Sequence, residues 1–129
     1  IVLIHDGVRP FVTEEILERS IAAAKETGGC VAGVPAKDTI KVCDAQGFAI
    51  ATPDRSTLRA VQTPQVFDFD LLRGALQKAA SDKAAVTDDC SAVERLGMKI
   101  RLVAGDERNL KVTTPLDLKI AELLLEEGQ

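Results

Sequence analysis

Short apolar runs alternate with helical segments along most of this sequence, and this alternation restricts the folds open to it. The runs at residues 1–4 (IVLI) and 30–34 (CVAGV) are apolar at every position rather than at every second one. Such runs are typical of strands that are buried on both faces of a parallel sheet. Strands that alternate with helices predict an α/β fold whose mostly parallel sheet is sandwiched by helices.

The helical segments have recognisable ends. Thr13 is a suitable N-cap for the first helix, and two glycines at 28–29 end it. Thr87 is the predicted N-cap of another helix, and Thr114 with Pro115 begins the last one. We expect the leucine run at 123–125 in that last helix to pack in the core. A helix at 69–80 and a strand at 99–103 complete the predicted elements.

Residues 37–61 interrupt this pattern with short β-like segments. Residues 39–42 and 48–51 flank the turn sequence DAQG at 44–47, and a further strand is predicted at 58–61. We interpret this β excursion as an arm inserted into the α/β domain.

Composition excludes several classes of protein. The 129 residues suit a single domain, and a net charge of −4 disfavours unspecific binding to nucleic acid. Three cysteines without paired spacing indicate a reducing cytoplasm, and we expect all three to be small buried fillers. His5 is the only histidine, which disfavours a protein-built zinc site, and no apolar run is long enough to span a bilayer.

The chain begins inside an apolar run without an initiator Met, so we expect it to be the C-terminal part of a longer domain.

The end of the first strand offers candidate ligand-binding groups. In such sheets, ligands bind beyond the carboxyl ends of the strands. Asp6 can hold a divalent metal or a sugar hydroxyl, and Arg9 can bind a phosphate. A turn aspartate and a solvated arginine are the alternative interpretation, and His5 suits packing better than base catalysis.

Three more residues have two interpretations each. Arg55 is either half of a surface ion pair with Asp54 or a functional cation. Lys111 precedes a capped helix N-terminus and can bind an anion there, or it is simply exposed. The hydroxyl of Thr87 is either an N-cap or a ligand contact. No stretch has the glycine pattern of a phosphate-binding loop.

Six ordered motifs nevertheless resemble those of one enzyme family. They are DGVRP at 6–10, PAKDTIK at 35–41, TPDR at 52–55, QTPQVF at 62–67, TDDCS at 87–91 and NLKVTTP at 109–115. Their order and spacing are similar to those of the 2-C-methyl-D-erythritol 4-phosphate cytidylyltransferases of non-mevalonate isoprenoid biosynthesis. The resemblance implies a Rossmann-like nucleotidyltransferase domain that transfers a cytidylyl group from CTP to methylerythritol phosphate and releases pyrophosphate, with Mg²⁺.

The resemblance also implies roles for individual residues. Asp6 and Arg9 would lie between CTP and the acceptor, with Asp6 as the metal ligand. Lys111 would contact both the nucleotide and the acceptor phosphate. Thr63 and Thr87 would line the acceptor pocket.

The arm at 37–61 would serve dimerisation. Thr39 and Arg55 would reach from it into the neighbouring subunit's site of a homodimer. Arg55 would position the acceptor phosphate together with Lys111, and both would be catalytic.

Departures from the family pattern leave alternatives open. Cys90 stands where a small residue is usual, and Arg59 where an apolar or aromatic one is common. The family's N-terminal glycine-rich loop has no counterpart in the sequence, so we expect this chain alone to be inactive. A ribitol 5-phosphate cytidylyltransferase and a non-catalytic dimerising module are the alternatives.

Overall fold

The computed structural model describes residues 1–128, which form one larger sheet, a separate small hairpin and four α-helices. A short 3₁₀ turn at Arg55–Thr57 follows the hairpin. The strands and helices are β1 (Val2–Ile4), α1 (Glu14–Thr27), β2 (Gly29–Pro35), β3 (Val42–Cys43), β4 (Ala49–Ala51), β5 (Arg59–Phe67), α2 (Phe69–Ser81), α3 (Asp89–Glu94), β6 (Arg101–Ala104) and α4 (Pro115–Glu127).

The larger sheet has the strand order β1-β5-β2-β6. Three of its strands run in one direction, as predicted, but β5 runs the other way and pairs antiparallel with both β1 and β2. Only β2 and β6 pair in parallel. The reason is that β5 follows the arm, which returns the chain to the sheet from the end at which β2 leaves it. The α/β class is confirmed, and its pairing pattern is mixed.

The first strand differs from the prediction in its burial. β1 lies at one end of the sheet order, with β5 as its neighbour. Because a strand with one neighbour is covered less completely, Leu3 is 37% exposed, although every side chain of the run is apolar.

Alternation along the central strands places helices on both faces of the sheet. Val31 and Phe67 pack with Leu72 of α2 and Val93 of α3 in one fully buried cluster. The neighbouring side chains Cys30 and Val66 point to the other face and pack against Ala24 of α1. The predicted sandwich of helices around the sheet is therefore confirmed.

Most helix ends form as predicted because their determinants are local. The hydroxyl of Thr13 accepts a hydrogen bond from the Ile16 N–H, and Gly28 ends α1 with a φ of 95°. Thr114 and Asp117 form a capping box around the first turn of α4. The third helix is the exception, because its N-cap is Asp88 rather than Thr87. The Asp88 carboxylate accepts from the Ser91 N–H at 2.7 Å, and an ionised oxygen is a stronger acceptor than a hydroxyl.

The inserted arm is a hairpin in which β3 and β4 pair only with each other. Its strands are shorter than predicted, whereas the turn is as predicted: the Asp44 carboxylate accepts from the N–H groups of Gln46 and Phe48. The arm side chains Ile40, Phe48 and Ile50 are 44%, 70% and 63% exposed. A role of the arm in dimerisation stays a prediction.

Two predictions about packing were wrong. Cys43 is exposed on the arm, where no second layer covers it, while Cys30 and Cys90 are buried. Leu123 and Leu125, expected in the core, are 61% and 57% exposed on α4. Within residues 1–128, no helix has the length and apolar character needed to cross a membrane.

Candidate functional site

A cavity of about 420 Å³ opens where β1 ends, between β5, the start of α3 and the segment before α4. Five of the residues singled out in the sequence line it: Asp6, Arg9, Thr63, Thr87 and Lys111. They come from segments far apart in the chain, which the fold brings to one edge of the sheet. We call this cavity the strand-end pocket.

Arg9 is held in place by two neighbours. Its Nε donates to Asp6 Oδ2 at 3.2 Å, and its Nη1 donates to the backbone carbonyl of Asn109 at 2.8 Å. The side chain is only 12% exposed. Arg9 therefore ties the end of β1 to the segment that contains Lys111, and a further hydrogen bond from the Val112 N–H to the Val8 carbonyl supports the same connection.

Unlike Arg9, Lys111 has no ion-pair partner among residues 1–128. Its side chain lines the pocket and is exposed, and no carboxylate of residues 1–128 forms an ion pair with it. It is thus the available cation of the strand-end pocket.

Thr63 lies on β5 and joins two segments at the pocket. Its Oγ1 accepts from the Asp6 backbone N–H at 3.0 Å and lies 2.8 Å from His5 Nδ1. His5 Nε2 lies 2.9 Å from the Arg9 carbonyl oxygen. The imidazole therefore packs and bonds within the site, as expected of a non-catalytic histidine.

Polar residues that the sequence did not single out also line the pocket. Gln65 of β5 donates to Asp88 Oδ2 at 3.1 Å and accepts from the Cys90 N–H at 3.0 Å, which fixes the start of α3 against the sheet. Burial, reinforced by the nearby negative charge of Asp88, raises the pKa of the Asp89 carboxyl. Gln65 lies in the QTPQVF motif, and Asp88 and Asp89 lie in the TDDCS motif. The motifs therefore offered a signal for these three residues that composition and periodicity did not.

The Thr87 hydroxyl is not needed for the helix cap, which Asp88 provides. The backbone N–H of Thr87 donates to Ser91 Oγ at 3.1 Å, and its exposed side chain lines the pocket. Of the two interpretations left open by the sequence, the cap is excluded.

The two arm residues lie away from these groups. Thr39 is exposed, and neither it nor Arg55 lines the strand-end pocket. Arg55 Nη1 donates to the Lys37 carbonyl at 2.7 Å. The surface ion pair with Asp54 does not form; that carboxylate accepts instead from the hydroxyl and N–H of Ser56, which lowers its pKa.

The carboxylates of the strand-end pocket could hold a metal ion only together with oxygen atoms of a bound ligand. Among residues 1–128, no group of three or more His, Cys, Asp or Glu is placed to enclose an ion. In the pocket, both oxygens of Asp88 accept hydrogen bonds, whereas Asp6 uses one oxygen for Arg9. Mg²⁺ commonly binds one or two carboxylates together with substrate phosphates. Asp6 fits that mode of binding, with phosphates as the other ligands.

Asn109 is buried behind the strand-end pocket and hydrogen-bonds to two residues of β5, and replacing it tests how much these bonds stabilise the fold. Its Nδ2 donates to Gln62 Oε1 at 3.2 Å and to the Thr63 carbonyl at 2.8 Å, and the residue is fully buried. Asn109→Ala removes both hydrogen bonds and leaves Gln62 Oε1 with only the longer bond from the Asp106 N–H at 3.4 Å. Removal of the buried Asn109 Oδ1, which has no partner within residues 1–128, offsets part of the loss. We expect a decrease of about 2 kcal/mol in the free energy of unfolding.

Urea unfolding of the chain measures this change as a lower midpoint at an unchanged slope. Gln77→Ala, on the exposed face of α2, is the control and should change stability by less than about 0.5 kcal/mol. Equal effects of the two substitutions would contradict the supporting role of Asn109.

Known proteins resemble this chain in both sequence and fold. The sequence model described as "IspD: 2-C-methyl-D-erythritol 4-phosphate cytidylyltransferase" matches residues 1–127. Proteins of that name from Geobacter metallireducens and Caldanaerobacter subterraneus subsp. tengcongensis are 50% and 52% identical. These matches cover 98% and 97% of this chain, and 54% and 55% of the relatives. The chain thus spans about half the length of the curated relatives it matches.

Solved structures agree with the sequence comparison. The crystal structure of 4-diphosphocytidyl-2C-methyl-D-erythritol synthase from Anaerococcus prevotii superposes with a TM-score of 0.91 at 35% identity, over 97% of this chain and 58% of that one. The enzyme from Thermus thermophilus gives a TM-score of 0.85 at 36% identity, over 95% and 60%. The family model covers residues 1–127, the relatives share about half of the aligned residues, and the fold is the same. This chain therefore belongs to the 2-C-methyl-D-erythritol 4-phosphate cytidylyltransferase family.

Proposed function

We propose that this chain forms the acceptor-binding side of a cytidylyltransferase that joins CMP from CTP to 2-C-methyl-D-erythritol 4-phosphate. The strand-end pocket is the observation that supports this most strongly. It places the hydroxyl of Thr87 and the Asp6 carboxylate, which suit a polyol, in one cavity with Lys111, which suits a phosphate. Relatives that are 50% and 52% identical to this chain are named for this activity.

Charge in the pocket supports a site shared between two subunits. Three carboxylates line it, those of Asp6, Asp88 and Asp89, against the two cations Arg9 and Lys111. An acceptor phosphate brought to a triphosphate requires further positive charge, because both reactants are anions. Arg55 would supply it from the arm of a second copy.

The surface of the arm supports the homodimer. Phe48 and Ile50 are exposed on a hairpin that pairs with no other strand of residues 1–128, and Ile40 is exposed just before it. Several exposed apolar side chains on one short segment are typical of a surface that binds another protein. Pairing of two arms would cover them and place each Arg55 beside the other subunit's pocket.

The chemistry needs alignment and charge neutralisation more than a protein nucleophile. A phosphate oxygen of the acceptor attacks the α-phosphorus of CTP; the new P–O bond forms as the bond to the bridging oxygen breaks, and pyrophosphate leaves. Lys111 and Arg55 hold the attacking phosphate. Arg9 holds Asp6 and the Lys111 segment in register. When bound, Mg²⁺ neutralises charge on the triphosphate, and Asp6 is the residue that would hold it.

The compartment is part of the same proposal. Cys30, Cys43 and Cys90 are all free thiols, one of them exposed, as is usual in a reducing environment. We infer a cytoplasmic enzyme.

Acceptor preference tests the proposed function. We suggest a chimeric enzyme in which residues 1–127 replace the matching segment of the Geobacter metallireducens relative, assayed with CTP and either acceptor. We expect kcat/KM for methylerythritol phosphate to exceed that for ribitol 5-phosphate by roughly tenfold or more, because one mispaired polar group costs about 1.4 kcal/mol. An active chimera that uses ribitol 5-phosphate equally well would contradict the assignment.

A further inference from the structure

His5 occupies a defined position behind the strand-end pocket. It follows β1 and is partly buried, and both of its ring nitrogens have partners. Nε2 lies 2.9 Å from the Arg9 carbonyl oxygen, and Nδ1 lies 2.8 Å from the hydroxyl oxygen of Thr63.

These two partners fix the position of the ring hydrogen. A backbone carbonyl can only accept a hydrogen bond, so Nε2 must carry the hydrogen. In the neutral imidazole, Nδ1 is then an acceptor, and the Thr63 hydroxyl must donate to it.

The hydroxyl of Thr63 has little capacity left. It has one hydrogen and two lone pairs, and the Asp6 backbone N–H occupies one lone pair at 3.0 Å. With its hydrogen directed to His5, Thr63 can offer a ligand in the pocket one lone pair and no donor.

We propose that His5 is a positioning residue that makes Thr63 a hydrogen-bond acceptor toward the pocket and thereby selects which end of the acceptor lies there. An ionised phosphate has only acceptor oxygens and is repelled by such a group, whereas a polyol hydroxyl can donate to it. The hydroxyl-bearing end of the acceptor therefore lies at Thr63 and the phosphate at Lys111. This inference rests on the proposed function for the identity of the acceptor.

The tautomer is directly measurable in the 129-residue chain. His5 is its only histidine, so long-range ¹H–¹⁵N spectra of the neutral ring contain a single imidazole. We expect the hydrogen on Nε2 and a hydrogen-bonded Nδ1, and Thr63→Val should shift the Nδ1 resonance while Thr63→Ser does not. A hydrogen on Nδ1, or the averaged spectrum of a free imidazole, would overturn the proposal whatever the acceptor is.

Kinetics of the chimeric enzyme separate positioning from simple packing. The Asn side-chain oxygen can accept from Thr63 near the position of Nδ1, whereas Gln reaches the Arg9 carbonyl but not Thr63. We expect His5→Gln to raise KM for the acceptor by about tenfold, the worth of one hydrogen bond, and His5→Asn by less than about threefold. KM for CTP should stay unchanged in both variants.

An equal or reversed order of the two variants, or parallel changes in both KM values, would overturn the positioning role. Failure of the chimera to prefer methylerythritol phosphate would instead count against the proposed function and leave the tautomer result standing.

Discussion

Lys111→Ala is expected to lower the turnover of the chimeric enzyme by roughly a hundredfold or more, the usual cost of losing a positioned cation from a transition state. Lys111 is the pocket cation without a carboxylate partner in residues 1–128. Its segment is anchored through the Asn109 carbonyl and the Val112 N–H, so the charge is held at the pocket. If the acceptor phosphate binds at Lys111 as proposed, loss of the ammonium leaves that phosphate without a neutralising group.

Lys119→Ala is the matched control, because Lys119 is an exposed lysine on α4 that does not line the pocket. Steady-state rates with saturating CTP, measured over a range of acceptor concentrations, give both constants. Near-normal kcat/KM for Lys111→Ala would remove this residue from the mechanism.

Arg55→Ala is expected to cause a loss of the same order, roughly a hundredfold or more, although Arg55 lies outside the pocket of its own chain. Arg55 keeps one hydrogen bond to the Lys37 carbonyl, and its remaining guanidinium donors are exposed on the arm. A guanidinium can bind two phosphate oxygens at once, so Arg55 of a second copy would both neutralise and align the nucleophile.

Arg59→Ala provides the comparison for Arg55. Arg59 is exposed and lines one surface cavity together with Arg55, apart from the strand-end pocket. Its guanidinium donates to the backbone carbonyls of Ser56 and Leu58. If loss of either arginine reduces kcat/KM equally, the effect belongs to the general charge of the arm rather than to a specific contact.

Most helix ends were predicted correctly because they depend on residues within one turn. The errors lie mainly where the structure depends on contacts between distant segments. Thr13, Gly28 and Thr114 act within one turn of their own helices, so their residue types were enough to predict where α1 and α4 begin and where α1 ends. Thr87 and Asp88 are both capable caps in adjacent positions. The carboxylate of Asp88 is the stronger acceptor, and Gln65 of β5 bonds to Asp88 and to the Cys90 N–H at the start of α3.

The sheet shows the limit of apolar patterns. A wholly apolar run indicates burial but not the direction of its partner. The antiparallel insertion of β5 between β1 and β2 depends on how the arm returns the chain, which no periodicity records. The same limit explains the exposure of Cys43, whose residue type suggested burial.

The candidate site was predictable from motifs rather than from physics of single residues. Asp6 and Lys111 are each ambiguous alone, and the resemblance placed them together before the fold did. Arg55 and Thr39 remain outside the pocket, as a contribution to a neighbouring subunit requires, and their roles stay predictions. The hydrogen-bond pattern of His5 depends on three segments meeting, so no sequence pattern contained it.

Subunit mixing tests the shared site most directly. Chimeric subunits with Arg55→Ala and with Lys111→Ala carry different affinity tags, and heterodimers are isolated through both. One of the two sites then contains both residues intact, so we predict recovery to about half of the unmutated activity in a symmetric dimer. Activity of verified heterodimers no higher than that of either parent would contradict a site completed by Arg55 of the second subunit.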